Sequence, residues 1–312
     1  MRKTCLDCVY ELAKQDERIV FIGSDIGANT LDEFKKEMPD RFFMEGISEA
    51  HVVGMAAGMA LEGRIVYINT IATFLTRRCY EQVVLDCCLH KTRVRLIGSG
   101  GGLVYAPLGP THLATEDLAI LRPLPGITIL APADAEEMRR MMPHTVDIPG
   151  PVYIRLGRGG DPIVTDPDQP FEIGRLYLLK DGKDLLFITT GTTSKMALDA
   201  AELLGAQKLS AAVLHVPTVK PLDTAGLQAL MARFPTVLTL EEHSRIGGLG
   251  SAVAEVLAET SWSDPKKFLR LGLPDRFCEN YGNQASLMAR QGLSAEHVAE
   301  QALALARQTR EA

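Results

Sequence analysis

Short apolar, β-rich runs alternate with stretches of helical spacing, and the alternation occurs twice. In the first half the apolar runs fall at residues 19–22, 65–68, 94–97, 127–130 and 152–154. Helix-like stretches fill 6–14, 49–61, 80–89 and 135–142. Strands that are apolar almost throughout, with helices between them, predict parallel sheets covered on both faces, since such a strand has no polar side to show to water. Residues 157–170 (GRGGDPIVTDPDQP) are rich in Gly, Pro and Asp and carry no periodicity, which predicts a domain boundary there. The second half resumes with strand runs at 185–189, 211–216, 237–240 and 268–271 and helical stretches at 194–204, 223–233, 249–258 and 295–306. Asp223 and Ser294 stand where N-caps are expected. The expected fold is α/β: two successive α/β/α domains, each with a mostly parallel sheet, over residues 1–165 and 175–312.

Composition narrows the class. The 312 residues suit about two domains of ~150 residues. Apolar residues at 46% and charged residues at 23% are those of an ordinary globular chain. With 33 Lys plus Arg against 39 Asp plus Glu, the net charge of −6 argues against a broad nucleic-acid or anionic-membrane surface. No apolar run approaches the ~20 residues of a membrane span, and the N-terminus enters amphipathic sequence directly. A soluble, cytoplasmic protein is expected, with neither nucleic acid nor membrane among its partners. Cys5-x-x-Cys8 could be half of a zinc site, but no second pair follows at ligand spacing. Reduced, packed thiols and no metal held by this chain are expected.

The glycine clusters do not support a nucleotide fold of common type. Gly98-Ser99-Gly100-Gly101-Gly102 follows a strand, but the next residues, 103–110, contain two prolines and a glycine, so no helix starts where a pyrophosphate would need its N-terminus. Gly247-Gly248-Leu249-Gly250 does enter a helix and reads as a tight turn with close helix packing. Three other segments carry more chemistry. In Glu45-Gly46-Ile47-Ser48-Glu49-Ala50-His51 an acid opens a small-residue helix. It is either a charge favoured by the helix dipole or an acid that passes a proton to a bound ligand. Residues 70–82 follow a strand and bring Phe74 and Tyr80, aromatic faces for a flat heterocycle. Gly109-Pro110-Thr111-His112 adds an imidazole after another strand. In open parallel sheets, ligands bind beyond the carboxyl ends of the strands, where all three segments converge.

These motifs, with Ala131-Pro132-Ala133-Asp134, resemble the pyrimidine-binding domain of transketolases and their relatives. Glu241-Glu242-His243 with Gly247–Gly250 resembles the C-terminal domain of the same superfamily, so the likeness covers nearly the whole chain. The resemblance implies thiamine diphosphate, whose thiazolium carbon serves as nucleophile and whose ring system holds the electrons left by C–C cleavage. It implies Glu49 as the acid on N1′ of the aminopyrimidine, with Phe74, Tyr80 and Arg77 around that ring. Ile26 would stand against the folded cofactor and Asp25 at an adjoining contact. His112 would face substrate oxygens, and Asn29, Arg155 and Arg158 would line the end that grips a sugar phosphate.

Departures from the family matter as well. Diphosphate and Mg2+ are held in the superfamily by a Gly-Asp-Gly motif on a separate domain, and no Gly-Asp-Gly occurs here. The chain is therefore expected to be the C-terminal subunit of a split enzyme. It would depend on an N-terminal, diphosphate-binding partner in an α2β2 assembly and act on sugar (phosphate) substrates. Leu108 replaces an aspartate that reads a substrate hydroxyl, Gly100 replaces a histidine and Asn29 a serine, which suggests a less hydroxylated substrate or one with another anionic end. The leading expectation is ketol transfer from a ketose to an aldose. The β subunit of a 2-oxoacid decarboxylating enzyme, a deoxyxylulose-phosphate-synthase-like enzyme and a noncatalytic scaffold stay open as alternatives.

Overall fold

A computed structural model describes residues 1–24 and 31–310, with the side chains of 308–310 left aside. Asp25, Ile26 and Asn29 lie outside the described residues. The strands are β1 Ile19–Ser24, β2 Phe42–Glu45, β3 Ile65–Ile71, β4 Val94–Ser99, β5 Thr128–Leu130, β6 Val152–Leu156, β7 Tyr177–Lys180, β8 Leu185–Thr189, β9 Ala211–His215, β10 Thr218–Lys220, β11 Thr236–Ser244 and β12 Lys267–Leu273. They form two sheets, a seven-stranded one in the order β10-β5-β6-β4-β3-β1-β2 and a five-stranded one in the order β12-β11-β8-β9-β7. Each is parallel except at one edge, where β10 runs antiparallel to β5 and β7 antiparallel to β9. β1, β3, β4 and β6 are buried along their whole length, as continuous apolar strands require when helices cover both faces.

The aperiodic segment lies between β6, in the first sheet, and β7, in the second, but the halves are not separate. β10 comes from the second half and completes the first sheet. Its neighbourhood is stitched by Ala131 N donating to Pro217 O at 2.7 Å and Gly191 N donating to Ala131 O at 3.1 Å. Two buried polar junctions join the halves further. Glu137, on helix Ala135–Met141, has Oε2 2.8 Å from His215 Nε2, and Ser194 Oγ lies 2.8 Å from His215 Nδ1. Serine, imidazole and carboxylate stand in a row, but all three are buried, so no substrate reaches them and they serve as a strut. The other junction centres on Asp117 and Arg155. Arg155 Nε donates to Asp117 Oδ2 at 2.7 Å and its Nη2 to Asp117 Oδ1 at 3.1 Å, and Tyr153 Oη donates to Asp117 Oδ2 at 2.7 Å. Arg155 Nη2 also reaches the second domain, donating to Glu242 O at 3.0 Å.

The cap expectations agree with the geometry. Asp223 accepts from Gly226 N at 2.8 Å, and Ser294 Oγ accepts from His297 N at 3.3 Å. Cys5 is buried with Sγ 3.7 Å from Met142 Sδ, and burial pushes the Cys8 thiol up to about 11, which suits packed thiols. Among the described residues, no helix is long and apolar enough to cross a membrane.

Candidate active site

The carboxyl ends of the first sheet present the candidate residues together. Register pairs Thr70 with Gly98 and Gly98 with Arg155, so β3, β4 and β6 end level, and the loops that follow share one edge. β2 ends at Glu45, and helix Glu49–Leu61 starts four residues later with Glu49 in its first turn. Glu49 is 3% exposed, although it is a carboxylate at a helix start where water would normally solvate it. Its partner is Arg78, whose Nη1 donates to Glu49 Oε2 at 2.7 Å.

Arg78 also lies over Phe74, with its guanidinium carbon 3.9 Å from the ring centroid. Phe74 belongs to the short helix Ala72–Thr76 that begins as β3 ends, and its ring meets His112 edge-on at 5.2 Å. His112 closes the short 3-10 turn Pro110–His112, with Nδ1 2.9 Å from Thr111 Oγ1. The result is a continuous row of acid, guanidinium, aromatic ring and imidazole. Arg77 stands beside it, with Nη1 2.9 Å from Glu116 Oε1 and Nη2 donating to Thr111 O at 3.1 Å, so it braces the turn that presents His112. Buried Thr73, one residue before Phe74, leaves its Oγ1 with no hydrogen-bond partner.

Glu49, Phe74, Arg77 and His112 are thus brought together. Tyr80 opens the next helical turn and is partly buried against the apolar core of the first domain. Arg158 is exposed and faces a different cavity of about 340 Å³ with Arg2, Tyr105 and Leu108. Gly100 lines that cavity as well. Its φ of +78° and the Tyr105 ring, 2.2 Å from where a Cβ would stand, leave no room for a side chain. Arg155, expected at the substrate end, is engaged mainly by the protein itself. β6 is a central strand buried on both sides, and the Arg155 guanidinium is taken up by Asp117, Ala114 O and Glu242 O. Burial opposes both charges of that pair. Asp117 nonetheless sits below its usual carboxyl range, because Arg155, His243 and Tyr153 hold the carboxylate, and the Arg155 guanidinium is raised in turn by Asp117.

The sequence reading missed Arg78 and Asp117. The Arg77-Arg78 doublet was a visible signal, but nothing local says which arginine turns inward. Glu241 and Glu242, treated only as part of a resemblance, prove to be structural acids. Glu241 accepts from Leu249 N at 2.7 Å and Gly250 N at 2.8 Å, so it caps helix Leu249–Glu259 and explains the tight glycine turn.

A buried acid, a half-buried aromatic face and an imidazole at one sheet edge are the groups that a flat, proton-exchanging heterocycle would use. This set fits the aminopyrimidine half of thiamine diphosphate. The described residues include no group of three or more His, Cys, Asp or Glu placed to hold a metal ion. Comparison with known proteins gives the family. The family model described as "Transketolase, pyrimidine binding domain" matches residues 1–160, and "Transketolase, C-terminal domain" matches residues 174–298. The chain belongs to the transketolase family. It is 38% identical over 306 residues to one of the subunits of the apulose-4-phosphate transketolase of Phocaeicola vulgatus, covering 97% of this chain and 96% of that one. It is 36% identical over 299 residues to a 6-deoxy-6-sulfo-D-fructose transketolase subunit of a Clostridium species, covering 96% and 92%. A solved structure described as a split gene transketolase, inactive beta4 tetramer, superposes with a TM-score of 0.87 at 37% identity, covering 97% of this chain and 98% of that one.

Proposed function

We propose that this chain is the pyrimidine-facing subunit of a cytoplasmic, thiamine-diphosphate-dependent transketolase, active with a second chain that holds the diphosphate and Mg2+ in an α2β2 assembly. The reaction is transfer of a ketol unit from a ketose (phosphate) to an aldose. The observation that carries this reading is the row Glu49–Arg78–Phe74–His112, because it buries an acid yet leaves its arginine partner half-exposed at 44%.

When bound, the cofactor supplies a nucleophilic carbon and a place for the electrons released as a C–C bond breaks. Glu49 is positioned to hold a proton at N1′ of the aminopyrimidine, in a place too dry for water to compete. Arg78 occupies that carboxylate until the heterocycle arrives and shields one face of Phe74. His112, with Nδ1 engaged by Thr111, offers Nε2 to substrate oxygens. The cavity shared by Arg158 and Arg2 gives two guanidinium groups for an anionic substrate end, while Leu108, 49% exposed at the same place, supplies no hydroxyl recognition. That combination agrees with relatives whose names specify a phosphorylated and a sulfonated ketose.

Reconstitution tests the proposal. The chain is co-purified with a diphosphate-binding transketolase subunit and assayed with thiamine diphosphate and Mg2+. Aldehyde release from ketose phosphates that needs both chains is the expected result. Carbon dioxide release from 2-oxoacids without aldehyde transfer would overturn it in favour of a decarboxylating enzyme.

A further inference from the structure

Outside the Glu49–His112 row, a cavity of about 410 Å³ opens in the second domain. It lies against the edge strand β12, the loop leaving β11 and the ends of helices Gln284–Arg290 and Ala295–Arg310. Arg245, Arg270, Arg276 and Arg290 line it together with His297, and no aspartate or glutamate does. Among the described residues, none of these four arginines takes part in an ion pair, whereas arginines elsewhere on the molecule do. Carboxylates border the lining without joining it: Glu300, 3.9 Å from His297 Nδ1 and itself 75% exposed, Asp275 between the lining residues Pro274 and Arg276, and Glu241 behind Gly272, taken up by Leu249 N and Gly250 N.

Two of the guanidinium groups are braced by neutral acceptors, which fix their direction without cancelling their charge. Arg270 Nη1 donates to Arg245 O at 2.8 Å and Ser251 Oγ at 3.1 Å, and Arg276 donates from Nε and Nη2 to Gln291 Oε1 at 3.3 and 3.1 Å. Arg245 and Arg290 are exposed at the opening. In a chain of net charge −6, four uncompensated guanidinium groups around one hollow repel one another. An anion relieves that repulsion, and the planar forks match phosphate and similar oxyanions two bonds at a time. The volume lies in the range that holds a small molecule, ~300–1,000 Å³, rather than a flat macromolecular contact.

We propose that this cavity is a binding site for a small polyanion of the phosphorylated-metabolite class. Inorganic pyrophosphate is the probe, titrated calorimetrically at low ionic strength into the full chain carrying Arg158→Glu, which disables the other cationic cavity. Saturable one-to-one binding is expected, weakened at least tenfold in the double variant Arg245→Glu/Arg290→Glu. Both side chains are exposed, so folding should persist, and a thermal melt with circular dichroism checks this. The single variant Arg290→Gln, expected to weaken binding severalfold, gives a milder second reading. With Arg158 restored, the site in the second domain should keep the same affinity, and any further binding is ascribed to the other cationic cavity. Absence of saturable binding in the Arg158→Glu chain, or binding that survives the double reversal, would overturn the assignment, as would capture of an acidic polypeptide but not of pyrophosphate.

Discussion

Glu49 and Glu242 are each 3% exposed, yet their surroundings differ in kind. Glu242 is enclosed by groups that cannot leave. Leu103 N donates to its Oε1 at 2.6 Å and Gln284 Nε2 reaches both oxygens at 3.0 and 2.9 Å, while the Gly102 backbone, at φ +66°, passes so close that a Cβ would stand 2.6 Å from the carboxyl. Glu49 has an arginine whose side chain is rooted at the surface and also covers an aromatic ring. A buried acid satisfied by backbone and amide donors is part of the frame. A buried acid satisfied by a half-exposed cation can exchange that partner for a ligand, and this is the ground on which Glu49 is proposed as the functional one.

The largest effect that tests this contrast is on catalysis. Glu49→Gln keeps the size and removes the carboxylate, so the reconstituted enzyme should fall by ~10²–10⁴-fold in kcat, the usual contribution of a positioned acid or base. Its thermal midpoint should stay close to that of the parent. Steady-state kinetics beside a melting curve separates the two readouts. Turnover unchanged by the substitution would remove Glu49 from the chemistry and leave the chain a scaffold.

Next in size is the frame itself. Asp117→Ala strands the buried Arg155 guanidinium between the domains and should cost ~3–5 kcal/mol of stability, read from urea unfolding. The pH dependence has a definite sign. The folded carboxyl of Asp117 lies below its ordinary 3.8, so its contribution is complete above that value and is lost as pH falls below it through the folded pKa. The parent should therefore lose stability faster than Asp117→Ala on acidification below 3.8. Equal acid sensitivity of the two proteins would mean that the pair does not hold the domains.

Much of this was legible from the chain alone, for reasons that individual elements make clear. Helix Glu49–Leu61 and strand Leu185–Thr189 fall where the periodicity puts them, because each has a local pattern long enough to be decisive. β2, β7 and β10 were missed. They are three or four residues long, and β10 finds its partner, β5, almost ninety positions earlier, so no local pattern marks it. Arg78 escaped for a similar reason, since the direction of each arginine in a doublet is set by the turn after β3 and by partners far apart, Glu116 for one and Glu49 for the other. The pairing of Arg155 was not legible because its counterion lies 38 positions away and meets it only in the folded chain. Asp25, Ile26 and Asn29, outside the described residues, stay with the resemblance that named them.

The smallest effect sharpens the contrast from the side of Glu242. Burial pushes its carboxyl above the ordinary 4.5, although Arg155, Leu103 N and Gln284 favour the charged form. The folded chain therefore holds this proton more tightly than the unfolded chain. Below 4.5 both states are protonated and Glu242 imposes no penalty; as pH rises above 4.5 the unfolded chain ionises first, and the penalty grows until the folded pKa is passed. This is opposite in sign to Asp117. Glutamine at this position can still accept from Leu103 N through its carbonyl and donate to a rotated Gln284, so Glu242→Gln removes the charge while retaining the contacts. The stability of Glu242→Gln relative to the parent should rise as pH increases from 4.5 and then level off, measured by urea unfolding at a series of pH values. A difference that stays flat across that range would show that Glu242 is not held above its ordinary pKa, and the closed frame would then give way to one as open to exchange as the Glu49 site.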